Sequence, residues 1–177
     1  IIGESGVGKS TFVDIILGLI TPQEGEVILN DKKQIKDHKD WSGSVAYLPQ
    51  NDLILDHDLK TNISLIYDQK KQNKDKLNEA VKNSNLEKFV TSLPNGLDTK
   101  IGENGIRLSG GQDKRIALAR TFYHNKDIIV LDEATSSLDL ETENNIVEQI
   151  GKLKNQKTVV IISHRINTLK YCDKIYE

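Results

Sequence analysis

The chain opens on the stretch that most limits what it can fold into. Residues Gly3-Glu4-Ser5-Gly6-Val7-Gly8-Lys9-Ser10 follow the pattern Gly-x-x-x-x-Gly-Lys-Ser/Thr. Ile1-Ile2 before it reads as the end of a strand, and Thr11 to Leu19 after it reads as a helix. That strand–loop–helix setting is what a phosphate-binding loop requires. Glycines let the backbone curl so that several N–H groups point at phosphate oxygens, and the helix start adds unpaired donors and a favourable dipole. Lys9 can reach terminal phosphates, and the Ser10 hydroxyl can ligate magnesium.

Composition sets outer bounds. A chain of 177 residues fits one domain, or one domain with a subdomain. Its net charge of −2 offers no strong field to nucleic acid or to an acidic membrane surface. One cysteine, Cys172, excludes an internal disulfide framework and suits a reducing compartment. No apolar run approaches the roughly 20 residues that a membrane-spanning helix needs. Because the chain starts on the phosphate loop's own strand, we expect an excerpt of a longer protein, cut at both ends.

Periodicity predicts the elements. The first helix should bury Phe12, Ile15, Ile16 and Leu19, spaced i, i+3, i+4, i+7. Thr21 to Gly25 is a turn, and Glu26 to Asn30 a short alternating strand. Lys32 to Asp40 reads as an exposed connector or short helix, and Trp41 as a packing residue at an element start. Val45 to Leu48 is an apolar strand closed by Pro49. The block 53–123 reads as mainly helical, without a convincing strand, with helices over 75–83 and 86–90 and a solvated face at Lys70, Lys71, Lys74 and Lys76. Ser109 is placed as the N-cap of a helix over 113–123 that turns Ile116, Ala119 and Tyr123 to one side. Ile128 to Asp132 and Thr158 to Ser163 read as fully buried parallel strands. The helix over 141–153 should carry Ile146, Val147, Ile150 and Leu153 inward. The expected fold is therefore α/β: a P-loop NTPase with a mainly parallel sheet flanked by helices, an inserted helical subdomain, and its N-terminal part missing. The expected divisions are 1–52 and 124–177 for the core and 53–123 for the insertion.

Four groups fall at strand ends, where a parallel sheet gathers its chemistry. Asp132 can steady magnesium, and Glu133 beside it can take a proton from water. Gln50 can accept magnesium or hold the attacking water without adding charge. His164 can bond a terminal phosphate or steady the base.

With these residues in place, the sequence resembles the nucleotide-binding domain of ATP-binding cassette (ABC) transporters over nearly its whole length. Gly3–Ser10 is similar to Walker A, Gln50 to the Q-loop, and Leu108-Ser109-Gly110-Gly111-Gln112 to the LSGGQ signature. Ile128–Asp132 with Glu133 resembles Walker B and the catalytic glutamate, Ser136–Asp139 the D-loop, and His164 the switch histidine. The resemblance implies ATP and Mg²⁺ as cofactors. It implies nucleotide contacts at Gly3, Glu4, Ser5, Gly6, Val7, Gly8, Lys9, Ser10 and Thr11. It implies metal contacts at Ser10, Gln50 and Asp132, and catalysis by Glu133, His164 and Gln50. It further implies a head-to-tail partner domain, whose nucleotide would be touched by Ser109, Gly110, Gly111, Gln112 and Asp139, and transmembrane domains on the same or another chain. Nucleic acid is not an expected partner.

Residues 95–105, Glu133–Asp139 and Ser163-His164-Arg165 look like the exporter branch, Thr168–Ile175 is similar to bacterial exporters, and within that branch the sequence resembles the lipid-linked oligosaccharide flippase group. An ABC exporter ATPase at the cytoplasmic face of the membrane is the implied function. A soluble cassette ATPase of translation or DNA repair, and a nucleotide-gated structural partner without turnover, are the alternatives. Three departures stand out. Asp113-Lys114 replaces the usual pair after the signature, with an expected change in surface charge and little effect on catalysis. Residues 51–59 are polar where exporters often place an aromatic. The adenine-stacking aromatic of the family lies upstream of Walker A, so weak ATP binding is expected for this stretch alone.

Overall fold

The structure, a computed structural model, describes residues 1–4, 6–29, 33–41 and 43–177. Its centre is a three-stranded parallel sheet in the order β3 (Val45–Leu48), β6 (Ile128–Asp132), β7 (Thr158–Ile162). Leu48 pairs with Leu131 and Asp132 with Ile162, so the carboxyl ends of all three strands lie at one edge. Side chains alternate between two covered faces. Ile129 and Leu131 enter a core with α5 (Gly110–His124) and α6 (Leu140–Gly151), while Val130 and Ile162 meet α1 (Lys9–Ile16) on the other side. A strand covered on both faces needs no polar position, which explains the continuous apolar run of β6. This is the expected α/β class with a mainly parallel sheet flanked by helices.

A second core lies among α2 (Leu59–Ser64), α3 (Lys74–Asn83), α4 (Glu87–Ser92) and α5. Helix α5 serves both cores. Ile116, Ala119 and Tyr123 face the helical cluster, as the spacing predicts, and Ala117 and Leu118 face the sheet.

The local pattern departs from expectation in several places. Helix α1 docks through Val13 and Leu17, which are 1% and 5% exposed, whereas Phe12 and Leu19 are more than half exposed. The chain is apolar on several sides of this helix, and the sheet selects the stripe one residue round from the expected one. The polar segment after residue 32 contains a strand, β2 (Lys33–Ile35), antiparallel to β1 (Val27–Leu29) and anchored by buried Ile35. Residues 38–41 then form a short 3-10 turn that Trp41 ends, its Nε1 donating to Ile16 O at 2.9 Å. The block read as strandless holds two-residue strands, β4 (His57–Asp58) and β5 (Lys100–Ile101), too short to show a period. Strand β7 is only partly buried, with Thr158 exposed, because it borders the sheet. Ile1-Ile2 is not a regular strand but lies along it: the Ile1 amino group donates to Ile161 O, and Ser163 N donates to Ile1 O. Ser5, Asn30 and Lys32 lie outside the described residues.

Leu17→Ala should cost about 2–5 kcal/mol of stability, as a large buried side chain does, while Phe12→Ala should stay within about 0.5 kcal/mol. Urea unfolding of the two variants decides between the two stripes.

Candidate functional site

The phosphate loop ends in Gly8, which caps α1 in the left-handed region with φ 97°, a conformation that favours glycine. Lys9 leads the helix and turns back across the loop, its Nζ donating to Gly3 O at 3.0 Å and to Glu4 O at 2.6 Å. Gly6, Val7 and Thr11 are exposed around it, and Ser10 is half-buried behind it.

Ser10 reaches the end of β6. Asp132 is 1% exposed; burial raises its pKa above the ordinary value, against a Ser10 hydrogen bond that lowers it. One carboxylate oxygen, Oδ1, is buried without a protein partner. A hydroxyl beside a carboxylate with a spare oxygen suits a hard cation such as Mg²⁺, which takes few protein ligands and completes its shell with water and phosphate. No group of three or more His, Cys, Asp or Glu able to hold a metal occurs among the described residues. Nearby, burial together with Asp14 and Asp132 pushes the Tyr47 phenol up to about 12, and its hydroxyl donates to Asp14 Oδ1 at 3.3 Å.

Glu133 follows at once, and the structure brings two other predicted residues, Gln50 and His164, onto its carboxylate. Gln50 Nε2 donates to Glu133 Oε2 at 3.2 Å, and His164 Nε2 lies 3.2 Å from Glu133 Oε1. Each carboxylate oxygen thus has its own neighbour from a different strand end. Glu133 adopts φ 51°, a left-handed conformation uncommon for a non-glycine residue. Its N–H still donates to Ile162 O at 3.0 Å, extending the ladder, while Ser136 donates back to its carbonyl.

The signature stands at the start of α5 with a complete capping box. Ser109 Oγ accepts from Gln112 N at 3.3 Å, and Gln112 Oε1 accepts from Ser109 N at 2.9 Å. Gln112 is therefore engaged with its own helix. A Cβ on Gly111 would come within 3.2 Å of Ser137 O, so glycine lets the D-loop turn pass close. Asp139 caps α6, and the Thr142 backbone N–H it accepts holds its carboxyl below the usual range.

Sequence reasoning missed two side chains here. Arg165 braces the D-loop, donating to Leu138 O and Ser136 O and pairing with buried Glu143 of α6. Lys114, expected at the surface, is 2% exposed; its Nζ donates to Gln50 O at 2.9 Å and meets Asp52 Oδ2 at 3.0 Å. The signal was available: Lys114 shares a helix face with Ala117 and Leu118, the stripe that packs on the sheet.

A family model described as ABC transporter matches residues 1–136. The chain belongs to the ABC transporter family. It is 38% identical over 176 residues to ABC transporter B family member 14 of Arabidopsis thaliana, covering 98% of this chain and 14% of that protein. It is 36% identical over 177 residues to an uncharacterized ABC transporter ATP-binding protein of Sinorhizobium fredii, covering 99% of this chain and 30% of the relative. A solved bacterial Atm1-family ABC exporter with ATP bound superposes with a TM-score of 0.86 at 30% identity, over 95% of this chain and 30% of that one. The chain thus spans less than a third of the length of these relatives. As an ABC transporter domain it is of the ATP-binding, ATP-hydrolysing kind.

Buried Asp132 gives the ABC domain a pH signature. Its folded pKa is raised, so between the unfolded and folded values the folded state holds more protons, and stability falls as pH rises through that window. Asp132→Asn should raise the melting temperature at neutral pH without nucleotide, and this gain should shrink as pH is lowered towards the ordinary aspartate value. Thermal unfolding across pH checks both.

Proposed function

We propose that this domain is the motor of an ABC exporter at the cytoplasmic face of a membrane, hydrolysing ATP with Glu133 as general base. The observation that carries the reading is Glu133 held between Gln50 and His164 beside the buried Asp132. The loop N–H groups and Lys9 bind and orient the phosphates. Ser10 and Asp132, with Gln50 near, would hold magnesium, which supplies positive charge against the phosphate oxygens. Glu133 takes a proton from water as the water oxygen bonds the γ-phosphorus and the bond to the bridging oxygen breaks, leaving ADP and phosphate. Gln50 holds the carboxylate and the water in place, and His164 steadies the opposite oxygen of the base.

The signature would act on a nucleotide held by a second copy or a related domain. One feature supports this: a glycine-rich helix start whose Gly110 and Gly111 N–H groups are offered to an anion. Residues 53–123 are read as the helical unit between core segments 1–52 and 124–177, supported by their separate apolar cluster. Transmembrane domains would dock at a groove of about 540 Å³ lined by Ile54, Gly102, Glu103, Arg107, Leu108 and Asp113. Asp56, close to Gly102, accepts from Asn104 and pairs with Lys100, contacts that hold its carboxyl down to about 2. No described helix is long and apolar enough to cross a membrane, so the spans would come from elsewhere. The cargo proposed is a lipid or lipid-linked oligosaccharide, on the resemblance of the sequence alone, and stimulation of turnover by such a lipid tests that choice.

Glu133→Gln should retain ATP binding and lower turnover by about 10²–10⁴-fold, the usual range for losing a general base. Light scattering of this variant should show a dimer with ATP and magnesium only, and Ser109→Arg should abolish the dimer. Wild-type turnover in Glu133→Gln overturns the assignment of the base.

A further inference from the structure

Residues 50–53 are fastened to α5 by two cations. Lys114 holds the carbonyl of Gln50 and the carboxylate of Asp52, and Arg120 donates to Leu53 O and Asn62 O, each at 2.9 Å. Lys114 and Asp52 are withdrawn from water, with side chains 3% and 10% exposed. Fold stability alone does not call for such a pair, since apolar residues of similar volume at a buried site often serve as well or better. Its position is more telling. Lys114 grips the backbone of Gln50, whose side chain grips Glu133, and it does so from the helix whose first turn is the signature.

We propose that Lys114, paired with Asp52, is a positioning residue for hydrolysis: it makes the signature helix and the Gln50–Glu133 contact move as one body. A shift of α5 is thereby carried to the amide that holds the base. Displacements near 1 Å at a reacting centre can change rate by about 10²-fold, so a rigid connection of this kind matters to turnover more than to nucleotide binding. The inference rests on Glu133 being the general base.

The test uses ATP turnover and melting temperature of the full-length gene product. Lys114→Met removes the donor and strands a buried carboxylate. Asp52→Asn with Lys114→Met removes both charges. Lys114→Met should lose roughly tenfold or more in kcat, with KM for ATP within about twofold, and should melt lower. The double variant should regain the melting temperature while kcat stays low, because Gln50 O still lacks its donor. If kcat returns together with stability, if Lys114→Met turns over like wild type, or if the loss sits in KM, the proposal is overturned. Glu133→Gln measured alongside separates the two readings. Its full activity would sink the general-base assignment, whereas its inactivity beside an undiminished Lys114→Met would sink only the coupling.

Discussion

The parallel ladder that pairs Leu48 with Leu131 and Asp132 with Ile162 decides where three strands stop, and the site follows from those stops. Gln50, Asp132, Glu133 and His164 are far apart in the chain. They meet because each lies at or just beyond the carboxyl end of a neighbouring strand. A slip of one residue in this register would turn every strand side chain to the opposite face and separate Glu133 from its neighbours. The two apolar layers around the sheet therefore protect the chemistry as well as the fold, since both hold that register.

Helix α5 joins this edge to the rest of the domain. It has no solvent-facing stripe of the usual width, because one side packs on the sheet and another on the helical cluster. A helix wedged between two cores has little freedom to roll. That rigidity suits an element whose first turn presents Ser109, Gly110 and Gly111, and whose next turn presents the cation that grips Gln50. Arg165 plays a similar bracing part on the other side, gripping the turn between Glu133 and α6 from a position next to His164.

Much of this was readable in the sequence, and the gaps have physical causes. Ile128–Leu131 announces a strand covered on both faces, and the two acids after it announce a site. The phosphate loop is legible because its glycines and Lys9 have few other uses in that order. Helix α1 is ambiguous because Phe12, Val13, Ile15, Ile16, Leu17 and Leu19 are all apolar, so periodicity cannot choose a face that only the sheet selects. Strands β2, β4 and β5 are too short to show alternation. Lys114 was visible as a charge on an apolar stripe, but its partner Asp52 lies in a polar loop whose path no local pattern dictates. The left-handed backbone of Glu133 leaves no trace in its residue type.

That last feature bears on how the domain would evolve. Holding a glutamate at φ 51° opposes the fold's own preference by about 1–3 kcal/mol, a strain that glycine would relieve and asparagine would bear more easily. A population selected only for resistance to heat would drift towards those residues at position 133 and lose the acid in doing so. Retention of glutamate there is the mark of selection for work, and a laboratory lineage bred for robustness alone would be expected to erase it first.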